Sequence, residues 1–245
     1  MTRTAEGQAT SVGRLIACER LREEDVRQMF ALFSEHFEGV TFEQFQRDLE
    51  GKNWVILLEK ADRLVGFTTL LVYETFVEGE ICSVVYSGDT IVDPEAWSAA
   101  TLPRTWIESV ARLRSCYPRG RYFWLLITSG FRTYRFLPLF WREFFPRLDL
   151  ETPPQWKRLI DLLANERFGR LYDPAAGVVR FEVPQILGRT LSTIPAGRQS
   201  DPHVSFFLSQ NPGHRAGDEL VCLAELSPQN LTAAGRRMAN EVPQW

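Results

Sequence analysis

The sequence contains few of the residues that usually bind metal ions. Its histidines and cysteines are His36, His203, His214, Cys18, Cys82, Cys116 and Cys222. They are scattered along the chain, and no two cysteines have the CxxC spacing that is typical of zinc sites and redox motifs. We therefore expect no metal. Because three of the four cysteines lie in apolar runs, we also expect buried free thiols rather than disulfides.

Long apolar runs are also absent. A run such as "FLPLFW", residues 136–141, is far shorter than the roughly 20 residues that a membrane-spanning helix needs. The first residues, "MTRTAEGQATSVGR", have no apolar core of the kind found in a signal peptide. These absences predict a cytoplasmic protein without a membrane span.

The composition is typical of a globular protein. Of the 245 residues, 44% are hydrophobic and 24% are charged, which is enough apolar material for a sizeable core. We predict a disordered tail over residues 1–12 and one domain over 13–245. Its core covers about 25–145, and an extended C-terminal half with an extra helix, a long loop and the last strands covers 150–245.

The charges are unevenly distributed. The net charge of −3 does not favour a general nucleic-acid binder, but nine arginines and only two acids lie between Arg104 and Arg147, a local balance of +7. Such a block would attract an anionic ligand or an acidic partner protein. Alternatively, the arginines cover solvated faces of helices.

Hydrophobic periodicity predicts both helices and strands. The predicted helices are residues 23–37, 41–49, a helix that ends near Cys116, 130–145 and 153–168; the predicted strands are 53–60, 64–74, 81–92, 122–128, 177–183 and 218–226. The first three strands form an antiparallel meander, and 122–128 is a buried central strand. The polar segment 195–217 either folds over a site or is disordered.

The stretch "TIVDPEAWSAATLPRTW", residues 90–106, predicts a strand, a tight turn and a helix, and its turn contains no glycine. Glycines in such turns let backbone N–H groups point at a phosphate, beside the positive end of the helix dipole. Ser98 and Ala100 are small, so the turn can still form.

This stretch and the predicted order of elements resemble the GNAT superfamily of N-acyltransferases over about residues 25–145. The family motif reads roughly V-x-P-x-x-[RQ]-G-x-G-x-[GA], and the sequence matches it at Val92 and Pro94. It departs from the motif at Trp97, Ser98, Ala100 and Leu102. The resemblance implies an α/β (α+β) fold with a mixed, mostly antiparallel central sheet flanked by helices.

The resemblance also implies acyl transfer from a thioester donor to a small-molecule amine by direct attack. In this family the thioester arm lies between the third meander strand and the next strand, where the N–H groups of Ile91 and Val92 would bind its carbonyl. The residues implied to hold the rest of the donor are Trp97, Ser98, Ala99, Ala100, Arg104, Arg132 and Arg135. The donor is either acyl-coenzyme A or an acyl carrier protein. Carrier proteins are acidic, which suits the arginine block, and family members that use them also lack a standard loop.

Four side chains are the candidates for proton transfer. Tyr134 lies beyond the central strand, where many family members place a tyrosine that protonates the leaving thiolate. Asp89 lies in an otherwise apolar strand, where burial would raise its pKa toward that of a general base; Glu74, and after it Glu80, are the fallbacks. Gly88, inside this strand, indicates a β-bulge or a close backbone approach, or it only avoids a clash in a crowded sheet. Alternatively, Tyr134 belongs to the core and Asp89 bonds neighbouring backbone.

Two further alternatives stay open at this stage. The aromatic segment 130–145 either lines a channel for a long acyl chain or packs in the core. The unusual turn is also consistent with a GNAT-fold protein that has lost catalysis and binds a ligand or a partner instead, or with another reaction on the same scaffold, such as thioester hydrolysis or decarboxylation.

Overall fold

The structure is a computed structural model, and it describes residues 11–96 and 100–239. Its helices are α1 Glu23–His36, α2 Phe42–Glu50, α3 Thr101–Arg114, α4 Phe131–Tyr134, α5 Phe136–Phe140, α6 Pro154–Phe168, α7 Arg189–Ser192, α8 Pro202–Gln210 and α9 Ala233–Met238. Its strands are β1 Val12–Ala17, β2 Phe37–Glu38, β3 Trp54–Lys60, β4 Arg63–Val77, β5 Glu80–Val92, β6 Arg121–Thr128, β7 Phe144–Phe145, β8 Tyr172–Asp173, β9 Val178–Val179, β10 Ile186–Leu187 and β11 Glu219–Glu225. Residues 1–10 of the tail predicted over 1–12, and the predicted donor contacts of Trp97, Ser98 and Ala99, lie outside the described residues, and Val12 begins β1.

A mixed, mostly antiparallel sheet forms the centre of the molecule. Its strand order is β1-β3-β4-β5-β6-β11-β9-β8, with β7 also paired to β11, and a separate small sheet joins β2 to β10. The pairs in the main sheet are antiparallel, except that β5 and β6 run parallel. The predicted fold class is therefore confirmed.

The parallel ladder between β5 and β6 ends before either strand does. It runs from Cys82 opposite Arg121 to Ser87 opposite Leu126. Strand β5 continues to Val92 and β6 to Thr128. The two strands therefore leave an opening between their carboxyl ends.

A β-bulge lies at this opening. Asp89 and Thr90 of β5 both stand opposite Thr68 of β4, because the register shifts there. Asp89 has a φ of 30°, in the left-handed region that a short polar side chain tolerates better than most. The bulge follows Gly88 directly, so the prediction of a bulge at this glycine is confirmed.

Aromatic packing fixes the frame on both faces of the sheet. On one face, Trp106 of α3 lies 4.4 Å from Trp124 of β6, and Trp141 lies 4.9 Å from Trp124, ring centre to ring centre. On the other face, Phe33 of α1 and Phe45 of α2 each lie 6.1 Å from Phe67 of β4. Such buried aromatic contacts hold the helices rigidly against the strands.

Helix α2 forms where the sequence predicts it and presents polar residues toward the opening. Thr41 caps it by accepting a hydrogen bond from the Gln44 N–H at 3.2 Å. Phe45 and Leu49 are buried, since they share one helical face. Asp48 lies on the helix between these two residues.

The C-terminal half departs most from the sequence-based prediction. The predicted helix over 130–145 is divided into α4, α5 and β7, because Pro138 lacks an N–H and its ring would clash with the carbonyl of Tyr134 in a continuous helix. The predicted strand 177–183 is only Val178–Val179. The segment 195–217 is folded, with α8 capped by the Asp201 carboxylate. Strand β1 and helix α9 were not predicted.

Candidate active site

A cavity of about 360 Å³ lies beside the opening and is rich in charged side chains. We call it the charged cavity. The charged side chains of its lining are Arg47, Asp48, Lys52, Asp89, Arg167 and Glu219, and the Tyr86 ring lines it as well. A smaller cavity of about 50 Å³ shares Gly88, Asp89 and Glu219 with it and is lined also by Thr90 and Ser129, beyond the last paired residues of β5 and β6.

Lys52 and Asp89 form a buried ion pair in the charged cavity. The Lys52 Nζ lies 3.4 Å from Asp89 Oδ2, and the two side chains are only 4% and 13% exposed. Lys52 also donates to the Asp48 carbonyl oxygen at 3.2 Å, and the Thr69 hydroxyl donates to Asp89 Oδ2 at 3.0 Å. Asp89 therefore reaches the opening as predicted, but its charge is already balanced by Lys52.

Glu219 is the acid that the sequence analysis missed. It begins β11, and the next residue, Leu220, pairs with Thr128 at the end of β6, so Glu219 lies at the opening. Burial raises the pKa of Glu219 to about 8, and the charges of Asp89 and Asp48 raise it further, against the opposing effect of Lys52. A carboxyl with this pKa exchanges protons in the range that amine chemistry needs.

The signal for Glu219 was present but incomplete. The sequence places an acid at the start of the apolar run "ELVCLAEL", and the run was predicted as a strand. The pairing of that strand with β6 depends on contacts between residues more than ninety positions apart. Periodicity within the run does not contain this information.

Tyr134 does not reach the site, which corrects its predicted role. Its side chain is fully buried, and its hydroxyl donates to the Pro146 carbonyl oxygen at 3.1 Å. Its ring lies between Phe144, Phe206 and Phe207. Burial raises the pKa of the Tyr134 phenol far above its usual value. The aromatic packing of α4 thus makes Tyr134 a core residue rather than a proton donor.

Glu74 is also wrong as a candidate base. It pairs with Ser83 near the start of β5, whereas Gly88 and the bulge lie five residues further, roughly 17 Å along the strand. The Glu74 carboxylate accepts a hydrogen bond from Arg119 Nε at 2.7 Å. This guanidinium lowers the pKa of Glu74. Glu80, the second fallback, begins β5 at the same distant end.

A second cavity, of about 290 Å³, lies on the opposite face of the sheet, and we call it the apolar cavity. Its apolar lining includes Val92, Leu102, Phe131, Phe136, Leu139 and Phe140; its charged lining is Arg132, Arg135 and Arg198. The β-bulge separates the two cavities: in a regular strand residues 86 and 92 would share a face, but the extra residue in β5 lets Tyr86 pack on the α6 face and Val92 on the α3 face.

The predicted donor-binding residues divide into two groups. Arg132 and Arg135 line the apolar cavity. Arg104 is exposed on α3 and Ala100 is exposed just before that helix, and neither lines the cavity. Arg135 Nε lies 2.9 Å from Asp201 Oδ2, so it already has an acidic neighbour. Burial lowers the pKa of the Arg132 guanidinium.

The predicted backbone donors, Ile91 and Val92, are the last two residues of β5. The Asp93 N–H donates to the Val65 carbonyl oxygen at 2.8 Å. Because bonded and non-bonded pairs alternate in an antiparallel ladder, the N–H of Ile91 points toward β4 and that of Val92 points toward the opening. Val92 therefore has the orientation that the predicted thioester contact needs, and Ile91 does not.

The arginine block is not a single basic surface. Arg119, Arg121 and Arg147 pair with Glu74, Glu225 and Asp149, and Arg135 pairs with Asp201. Arg114 donates to the carbonyl oxygens of Tyr117 and Gly120. Acids outside the block therefore neutralise much of the charge that the sequence concentrates there.

Neither a metal-binding cluster nor a membrane-spanning helix is found among the described residues. Within residues 11–96 and 100–239, no group of three or more His, Cys, Asp or Glu side chains is arranged to hold a metal ion. In the same ranges, no helix is both long and apolar enough to cross a membrane.

Comparison with known proteins gives matches of structure alone. No protein-family model matches the chain, and no curated protein matches it. A probable N-acyltransferase from Enterococcus faecalis V583 is 14% identical with a TM-score of 0.42, over 54% of this chain and 33% of that one. A GCN5-related N-acetyltransferase from Kribbella flavida is 12% identical with a TM-score of 0.39, over 52% and 32%. Escherichia coli ElaA is 16% identical with a TM-score of 0.39, over 59% and 95%.

The chain thus spans about a third of the length of the first two of these proteins. At such low TM-scores, the description of the fold depends on this chain's own strand order. The mixed, mostly antiparallel sheet, the parallel β5–β6 pair and the flanking helices agree with the fold class that the sequence resemblance implies.

Proposed function

We propose that the protein is an N-acyltransferase that moves an acyl group from a phosphopantetheine thioester to an amine. One observation carries this proposal: two cavities of opposite character lie on opposite faces of the sheet, next to the opening between β5 and β6. The apolar cavity suits the donor and the charged cavity suits the acceptor. The reacting groups would then meet between the strands.

On the donor side, the lining of the apolar cavity supports this assignment. Phe131, Phe136 and Phe140 offer apolar surface for a pantetheine arm and its acyl chain. Arg132, Arg135 and Arg198 offer positive charge for a phosphate, which arginine binds well through paired N–H groups. Coenzyme A and an acylated carrier protein both present this phosphopantetheine.

On the acceptor side, Glu219 serves as the general base. Direct attack forms a bond between the amine nitrogen and the thioester carbonyl carbon, and the bond from that carbon to sulfur breaks. The amine proton goes to the Glu219 carboxylate, whose pKa of about 8 suits this transfer near neutral pH. The sulfur leaves as a thiolate and is protonated to the thiol from solvent. Among the described residues, no cysteine lines either cavity, which favours direct attack.

The test is a product assay with both kinds of donor. The protein is incubated with acyl-coenzyme A of several chain lengths, or with acylated carrier protein, and with a mixture of amines, and amide products are measured by mass spectrometry. Amide formed from one donor class supports the proposal and identifies the donor. Thioester hydrolysis without an amide, or binding of a donor without turnover, contradicts it.

A further inference from the structure

The charged cavity contains two partly buried ionisable side chains without a protein partner. Burial and the charges of Asp89, Lys52 and Asp48 shift the pKa of Glu219, but among the described residues no group donates a hydrogen bond to its carboxyl. The Nε of Arg167 is buried without an acceptor, and no described acid forms an ion pair with its guanidinium. The two side chains line the same cavity but are not paired with each other.

Lys52, Asp89 and Asp48 have protein partners, and Arg47, the remaining charged residue of the lining, is exposed to solvent. Lys52 is paired with Asp89, and Asp48 accepts a hydrogen bond from the Gln185 side chain at 3.3 Å. A buried or half-buried charge without a partner destabilises the protein unless a ligand supplies the missing partner. A carboxylate beside Arg167 would pair its cation, and an ammonium group beside Glu219 would favour the ionised form of that carboxyl, so a ligand that carries both signs matches the two side chains.

Tyr86 holds the unpaired guanidinium in a fixed place. Arg167 of α6 lies with its guanidinium carbon 5.0 Å from the centre of the Tyr86 ring. Stacking on an aromatic ring uses the face of the planar group and leaves its N–H edge available. That edge is suited to bind a carboxylate through two parallel hydrogen bonds.

One wall of the cavity is apolar. Phe168 and Phe181 contact each other edge to face, with ring centres 6.4 Å apart, and both line the cavity together with Ile127 and Leu171. An apolar portion of a ligand would therefore be buried between the two charged ends.

We infer that the acceptor is an amine that also carries a carboxylate and an apolar portion, as an amino acid with an apolar side chain does. This inference rests on the proposed function and names its substrate class. The ammonium group lies at Glu219 and first releases one proton to solvent to become the attacking amine; Glu219 then takes the second proton as the carbon–nitrogen bond forms, and the carboxylate lies at Arg167. An amine without the carboxylate leaves the Arg167 guanidinium unpaired. The lost ion pair should make the enzyme prefer the amino acid strongly over the simple amine.

The experiment compares three acceptors that differ only in the carboxylate. Phenylalanine, phenylalaninamide and phenethylamine are supplied with the active donor, and kcat/KM is measured for the wild type, Arg167→Gln and Arg158→Gln. Arg158 lies on the same helix, is exposed and is paired with Glu78, so it is the matched control. We expect the wild type to prefer phenylalanine at least tenfold, and Arg167→Gln to lose that preference while Arg158→Gln keeps it.

The ratio between acceptors is an internal control for folding, because a misfolded fraction lowers all three rates equally. Equal use of phenylalanine and phenethylamine by the wild type, or an unchanged preference in Arg167→Gln, overturns the inference and leaves acyl transfer intact. Calorimetric titration with phenylalanine separates the two claims. Binding that weakens at least tenfold in Arg167→Gln, with no amide from any donor, supports the ligand class and contradicts the transfer.

Discussion

The charged cavity and the apolar cavity lie on opposite faces of one sheet and differ in how the chain builds them. The apolar cavity takes much of its lining from two neighbouring stretches, around Val92–Pro103 and Phe131–Phe140. The charged cavity takes its side chains from α2, β5, α6 and β11, which are spread over most of the chain. Under the proposed function, two stretches of sequence therefore supply most of the donor site, with Arg198 added from further along the chain, whereas the acid–base groups come from elements that are all distant in sequence.

The first prediction separates the chemistry of the two cavities. Replacing Glu219→Gln removes the proposed base without changing the size of the side chain, so kcat should fall about 10²- to 10⁴-fold. The KM for the donor should stay within about twofold, because Glu219 does not line the apolar cavity. Steady-state kinetics with donor and acceptor varied in turn measure both effects. A kcat that stays near the wild-type value would remove Glu219 from the mechanism.

The second prediction concerns the stability of the charged cavity. Asp89→Asn removes one partner of a buried ion pair and keeps a side chain that tolerates the positive φ at this position. The loss of an ion-pair partner at a buried site should cost about 3 kcal/mol in the free energy of unfolding.

The control for Asp89→Asn is Arg27→Gln, which breaks an exposed ion pair with Glu23 and should lower the free energy of unfolding by less than about 1 kcal/mol. Denaturant unfolding at equilibrium gives both values. Equal losses in the two variants would show that Lys52 does not need Asp89 as its partner.

The third prediction concerns the apolar cavity. Arg135→Gln should raise the KM for the donor about tenfold, since it removes a phosphate-binding charge, and should leave the KM for the acceptor unchanged. Arg104→Gln, from the same arginine block but exposed and outside the cavity, should change neither constant by more than about twofold. If Arg104→Gln instead raises the KM for the donor more than Arg135→Gln does, the phosphate binds at the start of α3, as the family motif implies.

The fourth and smallest effect is expected at a residue that lines neither cavity. Tyr134→Phe removes one hydrogen bond, to the Pro146 carbonyl oxygen, and should lower the free energy of unfolding by about 1 kcal/mol. Turnover should be unchanged once folding is complete. Thermal unfolding and kcat are measured on the same sample, and a large drop in kcat without a loss of stability would return Tyr134 to the mechanism.

The sequence predicts the sheet well because its signals there are local. The strands at 53–60, 64–74, 81–92 and 122–128 follow from apolar runs and alternation, and Gly88 indicates the bulge. The aromatic segment 130–145 was predicted too simply, because helical spacing of its aromatics concealed the effect of Pro138.

The candidate site was predicted only in part, since its geometry depends on long-range pairing. Asp89 was found because a carboxylate in an apolar strand is conspicuous. The site roles predicted for Tyr134 and Glu74 do not fit the structure, because the sequence does not show which way a side chain faces or which arginine it contacts. Glu219 could not be placed, as its position follows from the antiparallel pairing of β11 with β6.

The pH dependence of kcat/KM for the acceptor, measured in parallel for the wild type and Glu219→Gln at saturating donor, tests most directly whether the charged cavity performs the chemistry. A base must be unprotonated to act, and kcat/KM reports the pKa of the enzyme without bound acceptor, so the wild-type value should rise with pH through an apparent pKa near 8 and level off above it. Glu219→Gln should lack that rise. The same rise in both proteins would contradict the account, because it would assign the titration to another group.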